Sequence, residues 1–282
     1  MKSTRLSKSL AQRIEDLLVY GFLTVASILA AFPLYYTILT SLKIPKDWMA
    51  WPPVILPTQI TLDNWSWTIW YYGLQPFRNS IIIASLTTVL TVTLGSLAAY
   101  GLARFDFRGR DNLAFWILSL RMFPPIAVVV PYFLMFRALG LIDTHMGLII
   151  LYTATNLPFF VYMMREFFLE LPKDIEEAAM VDGCSVLSAF RHIVIPLSVP
   201  GLVALAVFCY IFSWNEFMLA SVLTRSEAVT LPLNVAQMQC TRGIEFGYIA
   251  VLGTLSILPA MVLAVAIQKY IVRGLTLGAV KG

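Results

Sequence analysis

Three short polar groups interrupt long apolar stretches of the sequence, and their side chains suit the recognition of a hydroxylated solute. A tryptophan offers a flat apolar face, whereas amide and charged groups donate and accept hydrogen bonds, and sugars and polyols are bound by that mixture. An ionisable residue inside an apolar span is costly to insert, so it marks a functional position by default. The possible substrate pathway that this pattern predicts consists of Arg121, Asn156, Trp214, Asn215 and Glu216.

Each group also has a purely structural interpretation. Prolines near Arg121 leave backbone carbonyls without a donor, and a guanidinium group can satisfy them where helices meet. Asn156 stands beside Pro158 and can cap a broken helix, while Glu216 can pair across a subunit interface. The residues alone leave both interpretations open.

The elements that carry these residues must be membrane helices. Of the 282 residues, 59% are hydrophobic and 13% charged, and the mean hydropathy is +0.78. Soluble domains carry roughly a quarter charged residues, and a membrane helix needs about 20 apolar ones. Six runs fit, which predicts an all-α integral membrane fold with spans at Leu17–Leu42, Asn79–Leu102, Leu113–Phe136, Met146–Met164, Val199–Leu223 and Tyr248–Gln268.

The basic residues set the predicted orientation. They are more frequent in the N-terminal segment, in the even-numbered loops and in the C-terminal segment, and positive residues near helix ends stay in the cytoplasm. We therefore expect a cytoplasmic segment 1–16, a transmembrane domain 17–268 and a cytoplasmic tail 269–282. The net charge of +4 is scattered rather than gathered on one face, which argues against nucleic acid as a partner.

One cytoplasmic loop, "DIEEAAMVDGCSVLSAFRHIVIPLSVPG", is unusually hydrophilic. Asp174 and Glu177 have the spacing of a capping box, which predicts a short helix that ends at Gly183. A second helix is predicted to follow, with its polar residues Arg191 and His192 pointing away from an apolar side formed by Val186, Phe190, Ile193, Val194 and Leu197. The pattern fits an interfacial helix and a docking element for a cytoplasmic protein equally well.

The same loop resembles the EAA loop of the permeases of ATP-binding cassette (ABC) importers. The matching residues are Glu177, Ala178 and Ala179, then Gly183 after Asp182, then Ile193 and Pro196, within a loop at 168–198; Ile195 replaces the usual leucine. "RMFPPIAVVVPYFLMFRALGLIDTHMGLII", "NLPFFVYMMREFF", "SWNEF" and "RGLTLGAVKG" are similar to carbohydrate permeases of the maltose-importer type. The resemblance covers the chain from about residue 17 and implies the six-helix type I importer fold.

The resemblance also implies a mechanism and a set of partners. Glu177, Ala178, Ala179, Asp182, Gly183, Ile193 and Pro196 would transmit closure of an ATPase dimer to the membrane helices. The partners would be a second permease, two copies of a nucleotide-binding subunit that hold ATP and Mg²⁺, and an external solute-binding protein, in a bacterial inner membrane. The tail that would contact the ATPase subunits is Gly278, Ala279, Val280, Lys281 and Gly282.

Catalysis by the chain itself is not expected. The sequence contains no phosphate-binding G-x-x-x-x-G-K-[ST] loop, no H-E-x-x-H and no G-x-S-x-G. His145 and His192 fall on opposite sides of the predicted membrane, and the three cysteines fall in three compartments, so neither a metal set nor a disulfide is expected. An ion-coupled carrier or channel is the remaining alternative, although Glu216 stands nearly alone and no internal repeat is evident.

An aromatic segment precedes the second span on the external side. Its rings are those of Trp48, Trp51, Trp65, Trp67, Trp70, Tyr71 and Tyr72. Such rings form a belt at the lipid headgroups, or a docking surface for an external partner. The spacing does not separate these alternatives, and no residue of the sequence identifies the solute.

Overall fold

The computed structural model describes the backbone of residues 10–241 and 245–277 and the side chains of residues 15–238 and 245–265. This part of the chain is helical and contains no β-strand beyond a single bridge between Lys43 and Ile60. The helices are α1 (Leu10–Ser41), α2 (Pro45–Trp48), α3 (Asp63–Thr68), α4 (Leu74–Arg104), α5 (Arg110–Ser119), α6 (Pro125–Ala138), α7 (His145–Glu170), α8 (Lys173–Val181), α9 (Val186–Ala189), α10 (Ile195–Leu197), α11 (Val199–Trp214), α12 (Met218–Leu223), α13 (Leu231–Thr241) and α14 (Phe246–Leu277). Two π-helical turns, Ile69–Gly73 and Phe190–Val194, and one 3₁₀ turn, Leu120–Met122, join neighbouring helices.

The long apolar helices agree with the predicted membrane fold. Four continuous stretches of the described chain are long and apolar enough to cross a bilayer, namely Glu15–Ser41, Asp63–Arg104, His145–Glu170 and Phe246–Val265. Two further pairs of helices are sharply bent, and they bring the total to as many as six if each pair is one span. The prediction of an all-α membrane protein is confirmed.

The third predicted span is not one straight helix. The segment Arg110–Met122 meets α6 at an angle of 91°. Phe123 and Pro124 at the break have extended backbones, with ψ of 125° and 124°. The residue before a proline is biased away from helical geometry, and two consecutive prolines remove two amide donors. The prediction of a continuous helix over Leu113–Phe136 was therefore wrong, because the prolines outweigh the apolar pattern.

The fifth predicted span, Val199–Leu223, is also divided. Helix α11 ends at Trp214, and α12 begins only at Met218. Phe217 before α12 has a φ of −118°, far from the value of about −63° in a regular α-helix. The carboxylate of Glu216 accepts hydrogen bonds from the amides of Leu219 and Ala220 in the first turn of α12. These bonds satisfy backbone donors that the break would otherwise leave unpaired within the apolar run.

Helices α4, α7 and α11 form the centre of the molecule. Small residues four apart on α4, at Gly95, Ala99 and Ala103, leave a groove along that helix. Phe160 on α7 lies fully buried against it, and its ring atoms would meet a Cβ placed on Gly95. Small residues allow such close approach between membrane helices, where dispersion contacts replace the hydrophobic effect as the driving force.

Helices α1 and α14 pack against each other at the periphery. The N-terminal half of α1 is exposed, and Leu17 and Phe22 are each 74% accessible. Helix α1 begins at Leu10 and α14 continues past Gln268 to Leu277, so the first part of the predicted tail is helical. Residues 278–282, the predicted ATPase-contacting tail, lie outside the described residues.

Candidate functional site

The hydrophilic loop folds as two helical segments joined at Gly183. Helix α8 ends at Val181, and Gly183 follows with a φ of 94°, a left-handed backbone that glycine adopts without steric cost. The second segment runs from α9 through the π-helical turn to α10 and meets α11 at 79°. The predicted helix–glycine–helix arrangement is present.

The start of α8 differs from the predicted capping box. Pro172 occupies the N-cap position and makes no side-chain cap bond, so Asp174 lies inside the first turn. Asp174 and Glu176 there are placed where the helix dipole favours negative charge. The helix is therefore stabilised by first-turn charge rather than by the reciprocal bonds that the Asp174–Glu177 spacing suggested.

The residues that resemble the EAA motif mostly face outward. Glu177, Ala178, Asp182, Gly183 and Pro196 are exposed, and Ala179 and Ile193 are half-buried. An exposed acidic and small-residue surface leaves room for another protein to approach the loop. Their role in coupling stays a prediction, since no partner chain is present.

The second segment is amphipathic over only part of its length. Phe190 and Val194 are buried, whereas Val186 and Leu197 are 41% and 50% accessible. The π-helical turn Phe190–Val194 explains the difference, because its wider turn shifts residues on either side away from the face expected of a continuous α-helix. Arg191 and His192 point outward as predicted.

Sequence reasoning missed the buried charges at the ends of α4 and α7 that lie next to the hydrophilic loop. Glu176 is only 5% accessible and forms an ion pair with Arg104 at the end of α4. Nearby, Arg165 of α7 pairs with Asp111 and Glu166. Two adjacent glutamates on a helix point about 100° apart, so they need not share an environment, and the sequence "EE" does not say whether either of them is buried.

Part of the predicted substrate pathway lines a cavity of about 740 Å³. The cavity lies between the bent third span, α7 and the break after α11. The side chains around it combine aromatic rings, hydroxyls, an amide and two opposite charges; they include Arg121, Tyr132, Tyr152, Thr155, Asn156, Phe212, Ser213 and Glu216. Arg121, Asn156 and Glu216 are thus brought together from three separate spans.

Asn156 belongs to the cavity lining and has a buried side-chain acceptor without a partner. Its side-chain amide donates to the carbonyl of Tyr152 at 2.9 Å and to the hydroxyl of Ser213 at 3.0 Å. Its oxygen Oδ1 has no hydrogen-bond partner, although the residue is only 2% accessible. A buried acceptor without a partner is costly, so a small movement of the side chain that lets Asn156 Oδ1 meet a donor in the cavity would be favourable.

The contacts of Arg121 agree both with a structural role between helices and with a place in the substrate pathway. Its Nη1 donates to the carbonyl of Thr155 at 2.8 Å, within the turn that precedes Pro158, and its guanidinium lies 5.0 Å from the ring centre of Phe212. The residue remains exposed toward the cavity. Arg121 therefore links two spans and retains donors that can reach a bound molecule.

Glu216 is primarily a helix cap. Its oxygens accept from the amides of Leu219 at 2.9 Å and Ala220 at 3.1 Å, and from the Tyr152 hydroxyl at 2.9 Å. This bonding explains how a carboxylate is tolerated inside an apolar run. It also gives the break in the fifth span a fixed geometry at the edge of the cavity.

Trp214 and Asn215 lie apart from the cavity lining. Trp214 is 2% accessible; its Nε1 donates to the carbonyl of Ser256, and its ring stacks on that of Tyr210. Asn215 is exposed and donates to the carbonyl of Ile211. The flat apolar surface of the cavity comes from Phe212 and two tyrosines instead, a contribution that the motif "SWNEF" did not reveal.

Asp143, on the side predicted to be external, was not identified from sequence. It has a φ of 59°, and its carboxylate accepts from the backbone amides of Arg225, Ser226, Glu227 and Ala228. Partial burial raises the pKa of Asp143, but those four amide bonds outweigh it and hold the pKa well below its usual range. This residue ties the loop after α6 to the loop after α12.

The aromatic segment that is predicted to be external contains both buried and exposed rings. Trp48 and Trp67 pack on Tyr248 of α14, with ring centres 5.3 Å and 4.5 Å away. Trp51 is 91% and Trp70 76% accessible. The packed rings hold the segment on α14, and the exposed rings remain compatible with a lipid belt and with a docking surface.

Known proteins are similar to this chain in sequence. Residues 91–277 match the family model described as binding-protein-dependent transport system inner membrane component. Over 271 residues the chain is 36% identical to the trehalose/maltose transport system permease protein MalG of Thermococcus litoralis, which covers 94% of this chain and 96% of that protein. It is 40% identical over 238 residues to the trehalose transport system permease protein SugB of Mycobacterium tuberculosis, covering 81% and 85%.

A solved structure shares the architecture. A chain of a bacterial ABC transporter involved in the import of the acidic polysaccharide alginate superposes with a TM-score of 0.77 at 25% identity, covering 94% of this chain and 99% of that one. The relative from Thermococcus litoralis and the solved structure thus match nearly the whole chain, and the family model matches residues 91–277. The chain belongs to the family of binding-protein-dependent transport system inner membrane components.

Proposed function

We propose that this chain is the membrane-spanning permease subunit of an ATP-driven importer for a sugar or sugar-like solute. The observation that carries the proposal is that the loop of α8 and α9 is largely exposed in a chain that belongs to a family of transport-system membrane components. The relatives that the chain matches are named for trehalose and maltose, which supports a carbohydrate as the solute. A monosaccharide, an oligosaccharide and a polyol all fit a cavity of about 740 Å³.

Coupling to ATP hydrolysis is assigned to the loop itself. Glu177, Ala178 and Asp182 are exposed on or just after α8, and Gly183 allows the two segments to meet at an elbow. A nucleotide-binding subunit would dock against this face, with ATP and Mg²⁺ held by two copies of that subunit. Closure of the ATPase pair would then push the loop and rearrange the spans to which it is joined.

The remaining partners and the orientation follow from the same proposal. A second, homologous permease would complete the pathway, and an external solute-binding protein would deliver the solute. Both termini would lie in the cytoplasm of a bacterial cell, with the chain in its inner membrane, because the predicted cytoplasmic segments carry more lysine and arginine.

The cavity would supply contacts to the solute from this subunit. Asn156 Oδ1 would accept a hydrogen bond from a solute hydroxyl, Arg121 would donate one, and the ring of Phe212 would give an apolar surface. This chemistry suits a polyhydroxylated molecule, which presents hydroxyls around an apolar ring face.

A matched pair of glycine variants tests the coupling role. Gly183 and Gly109 both have positive φ, of 94° and 87°, and nothing lies within 4 Å of a Cβ placed on either. Proline cannot adopt that backbone, so Gly183→Pro and Gly109→Pro disturb two loops in the same way. We expect Gly183→Pro to reach the membrane but lose the ATPase subunit on purification, while Gly109→Pro retains it. Normal recovery of that subunit with Gly183→Pro would remove the elbow from the mechanism.

A further inference from the structure

Glu176 makes the polar connection between α8 and the membrane helices. It precedes Glu177 in the sequence, but its side chain turns inward and is 6% accessible. Among the described side chains, no other residue of α8 forms a hydrogen bond or ion pair with a membrane-spanning helix. The outer side of the helix is by contrast largely uncovered, with Ile175 at 45% and Val181 at 87% accessibility.

Arg104 holds Glu176 at the junction of three helices. Its Nε and Nη2 lie 2.6 Å and 2.5 Å from Glu176 Oε1. The same Nη2 donates to the carbonyl of Leu171, at the end of α7, at 3.2 Å. Because Arg104 is the last residue of α4, one guanidinium group joins the cytoplasmic ends of α4 and α7 to α8.

Tyr100 extends the connection to the second segment of the loop. Its hydroxyl donates to Glu176 Oε2 at 2.9 Å, and its ring centre lies 4.6 Å from that of Phe190 in the π-helical turn. Phe168 of α7 packs on both rings. Both segments are thus attached to one buried group, the clamp, which consists of Tyr100, Arg104 and Glu176.

We propose that Glu176 is a positioning residue, and that the clamp makes the loop and the ends of α4 and α7 move as one body when the ATPase closes. The inference rests on the proposed function, since it needs a partner that pushes on the loop. A buried ion pair suits this role because it resists separation in a way that apolar contacts do not. Sliding one charge away leaves the other without a partner inside the protein, whereas apolar side chains can repack.

Distances between two spin labels test the clamp in the assembled complex. One label is placed at Asp174→Cys on α8 and the other at Leu97→Cys on α4, both exposed positions, after Cys184, Cys209 and Cys240 are replaced by serine. Distances are recorded without nucleotide and with MgATP and vanadate. Only labelled complexes that retain the ATPase subunit and hydrolyse ATP are compared.

We expect one narrow distance, equal in both states, when the clamp is intact. With Glu176→Gln the distribution should broaden or shift between the states, and stimulation of transport by ATP should fall about tenfold. Asp106→Asn is the matched control, because it removes the exposed pair with Arg110 at the same end of the spans and should change neither readout. Tyr100→Phe removes only a hydroxyl and should broaden the distribution even if Glu176→Gln fails to fold.

Two results would overturn the clamp. The first is a distance that changes between states in the unmodified complex, and the second is a narrow, unchanged distance in both Glu176→Gln and Tyr100→Phe. Failure of the proposed function looks different, because the purified protein with intact Glu176 would then contain no ATPase subunit.

Discussion

Single residues show where sequence patterns stop being informative. Glu176 and Glu177 are identical neighbours, yet one is buried in an ion pair and the other is exposed. Glu176 is held inward by hydrogen bonds from Tyr100 and Arg104 of α4, which lie 76 and 72 residues earlier in the chain. Asp143 is similar, since the four amides that it binds lie in a distant loop. Such roles could not be predicted without the fold.

Asp143→Asn should lower the stability of the two loops that Asp143 joins. Asparagine tolerates the positive φ, so the variant mainly weakens charge-assisted hydrogen bonds, at about 1.5–3 kcal/mol. Because the pKa of Asp143 is lowered in the folded protein, its contribution is complete above the unfolded pKa of about 4 and is lost as pH falls further. Thermal midpoints of the purified protein should therefore differ most at neutral pH and converge in acid. A pH-independent difference would contradict the assigned charge.

Asn156→Ala should weaken solute recognition if the cavity is used. Loss of one hydrogen bond corresponds to about a three- to tenfold rise in KM for uptake. Asn215→Ala is the matched control, because the same amide there lies outside the cavity lining. Uptake of radiolabelled maltose and trehalose into membrane vesicles provides the measurement. Equal effects of the two substitutions would argue that the cavity makes no specific contact.

At the scale of elements, the length of the apolar runs located every long helix of the described chain but missed two breaks. The run Leu113–Phe136 is divided at Phe123 and Pro124, and Val199–Leu223 is divided after Trp214. Two consecutive prolines signalled the first break, and a polar Asn-Glu pair signalled the second. Neither signal alone predicts that its span is divided, because prolines near Arg121 and a carboxylate such as Glu216 also fit an unbroken helix that packs on another protein surface. The breaks create the edge at which Arg121 and Glu216 meet the cavity.

The sequence also contains the spacing of small and large residues on which helix packing depends, but the spacing does not show which helices meet. Gly95, Ala99 and Ala103 recur every four residues on α4, and Phe160, Met164 and Phe168 do so on α7. Large side chains of one helix fill the groove left by small ones on the other. The choice of α7 as the partner of α4 is a tertiary property, so the spacing alone did not predict it.

For the whole molecule, orientation can be tested with the native cysteines. Cys184 is exposed in the loop that we place in the cytoplasm, and Cys209 is buried. In a Cys240→Ser background, an impermeant maleimide should label inverted membrane vesicles and spare intact spheroplasts. Permeabilised spheroplasts serve as the control for access to Cys184. Labelling of intact spheroplasts would place the loop outside and would exclude contact with a cytoplasmic ATPase.

The measurement that tests the central claim most directly is purification of the tagged chain from its native host in mild detergent, followed by an ATPase assay. We expect a second permease and a nucleotide-binding subunit to co-purify, with MgATP hydrolysis that vanadate inhibits. Recovery of the chain alone, without ATPase activity in several mild detergents, would contradict coupling as its role and would favour an ion-coupled carrier.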